Sequence, residues 1–282
     1  MSAAWLTDPG GAAFAHTYRI DEELYRGRSA FQEIRIIANE DFGRMLILDD
    51  AVQTTERDEF IYHEMLAHVP LLAHPAPRRL LIIGGGDGGL LEEALKHPLD
   101  AAVMVEIDRD VIDVTRRFLP QIPGGAFEDP RTRLHVADGI RYVEESTETF
   151  DVILVDSTDP KGPAIGLFGQ PFYQHARRRL SAGGLIAVQS GSPLYQQDLM
   201  RMVRANLGTA FPFVATYLAG VPTYPGVLWS FTIGAAADPA AVSEEVVTRR
   251  IAGFGLQYLT PIIHRAAFAL PPFIARDLGI TA

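Results

Sequence analysis

A stretch of ten residues, LLIIGGGDGG at positions 80–89, limits what this chain can fold into more than any other. Leu80, Leu81, Ile82 and Ile83 run straight into five glycines interrupted by one aspartate. A short apolar run closed by glycine is the pattern of a buried parallel strand ending in a tight loop. Residues 90–96 continue with helical character. Strand, glycine loop and helix together form a turn that receives a nucleotide-like ligand. Glycines let backbone come close to the ligand, and the helix start offers free N–H groups. Gly84, Gly86 and Gly89 also satisfy G-x-G-x-x-G, a short pattern that recurs by chance. The unusual residue is Asp87. Most such loops face an anion, and a carboxylate at the loop centre repels one. The expected ligand is nucleoside-like, with positive charge where an ordinary cofactor is negative.

Beyond the loop the chain repeats the pattern. Strand character at 101–107, 133–137, 151–155 and 185–189 alternates with helical segments at about 109–118, 140–145, 171–180 and 194–207. Gly183-Gly184 reads as the close of the third of these helices. Two last strands near 213–219 and 227–234 flank VPTYPG and predict a hairpin. Alternating β and α units imply a doubly wound parallel sheet, with ligands at the carboxyl ends of its strands. Residues 1–56 differ. Short strand-like segments at 16–20, 24–28, 31–38 and 43–48 are joined by polar turns, which predicts a small antiparallel sheet. A helix from about 58 to 72 joins the two parts. The division expected is 1–56 for the N-terminal β domain and 57–282 for the catalytic domain.

Acidic residues recur at the predicted strand ends. Glu106 lies about 20 residues beyond the glycine loop, where a carboxylate accepts from both ribose hydroxyls. Asp138, before Gly139, stands where it could accept from an adenine amino group. Asp156 and Asp159 follow the next strand in DSTDP. Any one of these fits a helix N-cap or a solvated turn; their recurrence at successive strand ends points to one anionic rim. Asp87, Asp156 and Asp159 would surround a cationic reactant. An aliphatic amine has a pKa of about 10, so it arrives protonated and cannot attack. A carboxylate that takes its proton makes it a nucleophile. The chemistry suggested is attack by an amine on an adenosyl sulfonium.

Composition excludes other classes. The chain has no cysteine, which removes disulfides, thiolate metal sites and a cysteine nucleophile. A net charge of −10 argues against a nucleic-acid binder and favours a cationic substrate. No run approaches the roughly 18 apolar residues of a membrane helix. The opening MSAAWLTDPGG has no basic region or apolar core, so no signal peptide and a cytoplasmic location are expected. His63-Glu64 with His68 invites a zinc-protease reading. It fails, because the second histidine is five residues on where H-E-x-x-H needs four.

Taken together, the motifs closely resemble the spermidine synthases, the polyamine aminopropyltransferases. The resemblance is carried by Gly84-Gly85-Gly86-Asp87-Gly88-Gly89, Val105-Glu106-Ile107-Asp108, Ala137-Asp138-Gly139, Asp156-Ser157-Thr158-Asp159-Pro160 and Pro222-Thr223-Tyr224-Pro225. Val52-Gln53-Thr54-Thr55-Glu56-Arg57-Asp58-Glu59, Tyr62-His63-Glu64 and His264-Arg265-Ala266-Ala267-Phe268-Ala269-Leu270-Pro271 add to it, so the likeness spans nearly the whole chain. It implies a Rossmann-like methyltransferase fold, with a seven-stranded mostly parallel sheet, carrying a small N-terminal antiparallel β domain. It implies transfer of an aminopropyl group from decarboxylated S-adenosylmethionine to putrescine, giving spermidine and methylthioadenosine, with no further cofactor and no metal. It implies Asp156 as proton acceptor and Asp87 as holder of the donor's ammonium. Glu106 would take the ribose, Asp138 with Gly139 the adenine, and Gln32 and Pro163 further parts of the nucleoside. Tyr62, His63, Asp159 and Tyr224 would line the diamine side. A homodimer or homotetramer is expected.

Two positions depart from the family pattern. Gly226-Val227 follows Tyr224-Pro225 where serine and glycine are usual, and the acidic residue often found two places after the N-terminal tryptophan is missing after Trp5. The rivals are a putrescine N-methyltransferase, a nicotinamide dehydrogenase and a non-catalytic polyamine-binding module. Asp87 opposes the first, because intact S-adenosylmethionine would bring a carboxylate to it. The second gives no account of DSTDP or the terminal hairpin. The third should have lost Asp156, which is present.

Overall fold

The computed structural model describes residues 4–11 and 13–280. The N-terminal part holds β1 (Ala4–Asp8), β2 (His16–Ile20), β3 (Glu22–Arg28), β4 (Glu33–Asn39), β5 (Gly43–Leu48) and β6 (Ala51–Thr55). Strands β1 and β2 pair as an antiparallel ribbon, and β3-β4-β5-β6 form a four-stranded antiparallel sheet. Strands β1 and β6 were not among those expected from the sequence. Each is five residues long and lacks a clean polar–apolar alternation, and each is fixed by the strand it pairs with.

Helix α1 (Glu59–Ala73) leads into the second part, and every residue from 61 to 72 of it is buried. There follow β7 (Arg79–Gly84), α2 (Gly89–Leu95), β8 (Ala101–Glu106), α3 (Arg109–Phe118), β9 (Thr132–Val136), α4 (Gly139–Glu145) and β10 (Phe150–Asp156). Then come α5 (Gln170–Arg178), β11 (Leu180–Gly191), α6 (Gln197–Gly208), β12 (Phe213–Gly220) and β13 (Leu228–Ala235). Short helices α7 (Glu244–Arg250), α8 (Pro261–Ala267) and α9 (Pro272–Asp277) end the described chain. The seven-stranded sheet has the order β12-β13-β11-β10-β7-β8-β9, parallel except for the β12–β13 hairpin and its pairing to β11. This is the doubly wound α/β architecture expected. The Gly183-Gly184 reading needs correction. Helix α5 stops at Arg178, and the glycines lie within β11, whose Leu180 already pairs with Phe150.

The apolar run at 80–83 shows why the sheet is covered on both faces. Leu80 and Ile82 enter a core shared with α1 and α2, while Leu81 and Ile83 enter another with α4, α5 and α6. The N-terminal sheet is not a separate body. Ile34, Ile36, Leu46 and Leu48 pack directly on Val111, Val114 and Leu119 at α3. The order of strands reverses between β7 and β10, and such a switch point opens a crevice at the carboxyl ends.

Candidate active site

At that switch point the chain forms a cavity of about 640 Å³. Every site residue named from the sequence lines it: Gln32, Tyr62, His63, Asp87, Glu106, Asp138, Gly139, Asp156, Asp159, Pro163 and Tyr224. The floor is set by backbone register. Asp156 at the end of β10 stands opposite Gly84 at the end of β7, and the Gly85 N–H donates to the Asp156 carbonyl at 2.8 Å. Gly84 has a φ of +85°, and a Cβ there would overlap that same carbonyl oxygen. Only glycine permits this approach. The loop then turns through Asp87, whose Oδ1 accepts the Gly89 N–H at 3.0 Å as α2 begins.

Three ionisable side chains converge here. One ligand atom from each of His63, Asp87 and Asp156 lies within 4.8 Å of the others. His63 Nε2 is 3.4 Å from Asp87 Oδ2, and its Nδ1 is 2.6 Å from Glu59 Oε2. Tyr62 donates its hydroxyl to Asp156 Oδ1 at 2.8 Å. Burial, then the charge of Asp87, pushes the Asp156 carboxyl up to about 6, against the relief given by His63 and Tyr62. Asp87 is buried too, but the pull of His63 and the Gly89 N–H outweighs burial and holds it below the usual range. Burial opposes a charge on His63, yet Asp87 and Glu59 together raise it well above its ordinary value. A metal ion could use three groups at this spacing. Both imidazole nitrogens, however, already face carboxylates, so neither offers a free lone pair.

The part of the cavity expected to take the nucleoside rests on strand ends. Glu106 closes β8 and accepts the Asp108 N–H at 2.7 Å. Burial pushes its carboxyl up to about 7, with Asp108 and Asp156 adding to the rise. Asp108 caps α3 through Asp110, and its Oδ2 accepts from Ser29 Oγ at 2.6 Å and Gln32 Nε2 at 2.8 Å. That aspartate thereby fastens the N-terminal sheet to the cavity wall and orients Gln32. Asp138 caps α4, using Oδ1 to accept from Ile140 and Arg141. Gly139 lies against Ile83, leaving no room for a side chain. Pro163 begins a short 3-10 turn, Gly162–Phe168, on the rim.

The part expected to take the amine is assembled from distant segments. Tyr224 packs edge-on to Tyr62 at 5.5 Å and donates to the Gln53 carbonyl at 2.7 Å. Thr223 donates to Asp58 through both its N–H and its hydroxyl, and Thr55 donates to the same carboxylate. The Tyr224 loop is therefore tied to the join between the two parts and lines the cavity. Gly226 and Val227 both take left-handed backbone, φ +78° and +64°. A β-branched residue is strained there. The departure from the family pattern thus falls on the loop's tightest point. Asp159 accepts from Gln196 Nε2 at 2.8 Å, and burial raises its carboxyl.

Sequence reasoning overlooked several neighbours. Glu59 belongs to the stretch 52–59 that carries the resemblance but was given no role; it sits one turn before His63, and its i, i+4 spacing was the available signal. Asp8 lies one place beyond the position searched after Trp5; it is buried, accepts the Val52 N–H at 2.9 Å and lines the cavity. Gln53, noted only within a family-like stretch, and Gln196 support the cavity through the long-range contacts to Tyr224 and Asp159. The rejected zinc motif is split in space. Glu64 accepts the N–H groups of Gln257, Tyr258 and Leu259, while His68 is buried between Glu93 and His97.

The chain is similar to known proteins over nearly its whole length. A spermine/spermidine synthase domain model matches residues 59–244, and a spermidine synthase tetramerisation domain model matches residues 4–56. The chain is 45% identical to a polyamine aminopropyltransferase of Desulforudis audaxviator, covering 96% of this chain and 98% of that one. It is 41% identical to the one from Bacillus subtilis, covering 98% and 99%. A spermidine synthase solved with the transition-state analogue AdoDATO superposes with a TM-score of 0.95 at 37% identity, covering 99% of this chain and 96% of that one. The spermidine synthase of Thermotoga maritima gives 0.92 at 36%, covering 100% and 96%.

Proposed function

The chain belongs to the spermine/spermidine synthase family, and from that premise we propose that it is a spermidine synthase. It transfers the aminopropyl group of decarboxylated S-adenosylmethionine to putrescine and yields spermidine and methylthioadenosine. The observation that carries this reading is the pair Asp87 and Asp156, side by side at the switch point with Tyr62 on the second carboxylate. Asp87 receives the donor's ammonium. Glu106 takes the ribose hydroxyls, Asp138 and Gly139 the adenine, and Gln32 and Pro163 close over the nucleoside. Tyr62, His63, Asp159 and Tyr224 line the path of the diamine.

Asp156 is the base. Putrescine arrives as an ammonium with a pKa of about 10. An ordinary aspartate would be a poor partner, about six units lower. At about 6, Asp156 is closer by two units, and each unit is about 1.4 kcal/mol. The adjacent sulfonium lowers the ammonium's own pKa further by like charge. Once the proton has passed to Asp156, the amine lone pair attacks the methylene next to sulfur. The new C–N bond forms as the C–S bond breaks, and its electron pair leaves on sulfur as neutral methylthioadenosine.

Decarboxylated S-adenosylmethionine is a co-substrate in this scheme, and no further cofactor is needed. The division at residue 56 follows the same reading, with the N-terminal domain joining copies into a homodimer or homotetramer. Its match to a tetramerisation domain and the exposed Trp5 support that assignment. No helix among the described residues is long and apolar enough to cross a membrane, in keeping with the proposed cytoplasmic location. The test is a product assay with putrescine and either form of the donor. Spermidine and methylthioadenosine should appear with the decarboxylated form alone. Methylputrescine and S-adenosylhomocysteine from the intact form would instead make the chain a putrescine N-methyltransferase.

A further inference from the structure

His63 holds an unusual position for a side chain in a cavity meant for cations. It is buried, and its two nitrogens point at two different carboxylates, Glu59 at 2.6 Å and Asp87 at 3.4 Å. A carboxylate within hydrogen-bond distance of Nδ1 and a second within ion-pair reach of Nε2 favour a proton on each nitrogen, so the ring is an imidazolium. The ring is held there by packing. It lies against Gly89, where any Cβ would collide with it, and edge-on to Tyr62 at 5.5 Å. The groups facing it are few. Its own helix supplies Glu59 and Tyr62, the glycine loop Asp87, and the end of β10 Asp156. From α2, Glu92 lies within reach of the charge of Glu59. The Tyr224 hydroxyl is committed to Gln53. No lysine or arginine pairs with Asp87, so before any substrate arrives its only cationic partner among the described residues is His63.

We propose that the Glu59–His63 pair is a built-in counter-ion for Asp87, which the donor's ammonium replaces as the imidazole gives one proton to solvent. The inference rests on the function proposed above. The exchange balances: one positive charge leaves Asp87 as a proton, and one arrives as the ammonium. No covalent bond other than N–H changes. Nδ1–H still donates to Glu59, which fixes the tautomer. Nε2 is left with a lone pair, able to accept from the incoming ammonium. Glu59 never touches substrate in this scheme. It is a positioning residue that sets both the charge and the tautomer of His63. The arrangement keeps Asp87 ionised and neutralised while the cavity waits, which avoids a bare buried carboxylate.

The test is calorimetric binding at pH 8 in buffers of differing ionisation enthalpy, which counts protons released per ligand. At this pH Asp156 and Glu106 are already ionised in the free protein, and the ligand's ammonium keeps its proton. Methylthioadenosine, which has no ammonium, is the reference and releases close to none. Decarboxylated S-adenosylmethionine should release about one proton. Glu59→Gln keeps an acceptor for Nδ1–H but loses the charge, so its release should fall below about 0.3 proton. Its KM for the donor should rise by about 3- to 10-fold with methylthioadenosine affinity unchanged, a split that general unfolding would not give. His63→Gln gives a second variant in which release should vanish. Equal proton counts for donor and methylthioadenosine in the wild type overturn the exchange and leave the proposed function standing. Wild-type release from Glu59→Gln overturns the role of Glu59. A donor that does not bind at all overturns both readings together.

Discussion

The half of the cavity proposed for the nucleoside and the half proposed for the amine differ in how far along the chain their parts lie. Asp87, Glu106, Asp138 and Asp156 each lie at, or within three residues of, the end of a parallel strand of one sheet. Their placement is fixed by register and by short backbone bonds such as Gly85 to Asp156. The amine half joins α1, the Tyr224 loop and the N-terminal strands through side chains: Tyr62 to Asp156, Tyr224 to Gln53, Asp58 to Thr223. A site built on strand ends is held by the whole sheet. One built on side-chain contacts between distant segments depends on each of them, and one removed contact loosens it. The nucleoside half should therefore tolerate changes in the amine half, and the shared carboxylates at the seam should carry the chemistry.

The sharpest way to break that division is at the seam. Asp156→Asn removes the base but keeps the shape and the backbone bond to Gly85. Turnover should fall by about 10² to 10⁴-fold, while methylthioadenosine binds within about threefold of wild type. Near wild-type turnover, measured by single-turnover quench, would mean another base. A smaller effect sharpens the nucleoside half. Glu106 has its carboxyl at about 7 in the free protein, and only its ionised form accepts from both ribose hydroxyls. Affinity for methylthioadenosine should thus fall as pH drops, by about 25-fold from pH 7.5 to 5.5, and Glu106→Gln should flatten the curve. Catalysis adds a second limb. With Asp156 at about 6, kcat/KM should decline below pH 6 as the base takes up a proton, and rise above it. The smallest effect belongs to the amine half. Tyr224→Phe deletes one hydrogen bond, worth about 1 kcal/mol. The KM for putrescine should rise by about 3- to 5-fold, with the methylthioadenosine Kd unmoved. A shift in both constants would show that the halves are coupled.

The same contrast explains what could be read from the sequence. The sheet and its helices were legible because apolar runs such as 80–83 and 152–155 are buried on both faces and closed by loops. The rim was legible because its carboxylates sit where strands end. The reading proposed for Asp87 rests on one local oddity, an acid among glycines. Strand β6 was missed because Val52 to Thr55 has no alternation of its own. The short helices after residue 244 were missed because each spans two turns or fewer and is held by contacts such as Glu64 to residues 257–259. Asp8 escaped because a ribbon places it in the cavity, not a motif. His63 lines the cavity as expected, but its bracketing by Glu59 and Asp87 joins a helical i, i+4 pair to a loop many residues away. Only the folded chain brings those together.

The central claim is that Asp87 reserves this cavity for a ligand whose tail is cationic and carries no carboxylate. Comparing the Kd of intact and decarboxylated S-adenosylmethionine, in wild type and in Asp87→Asn, tests it most directly. A buried like-charge contact costs several kcal/mol, so wild type should prefer the decarboxylated form by about 100-fold or more. Asp87→Asn should shrink that preference below about tenfold. Equal affinity of the wild type for both forms, or an unchanged preference in Asp87→Asn, would contradict the account.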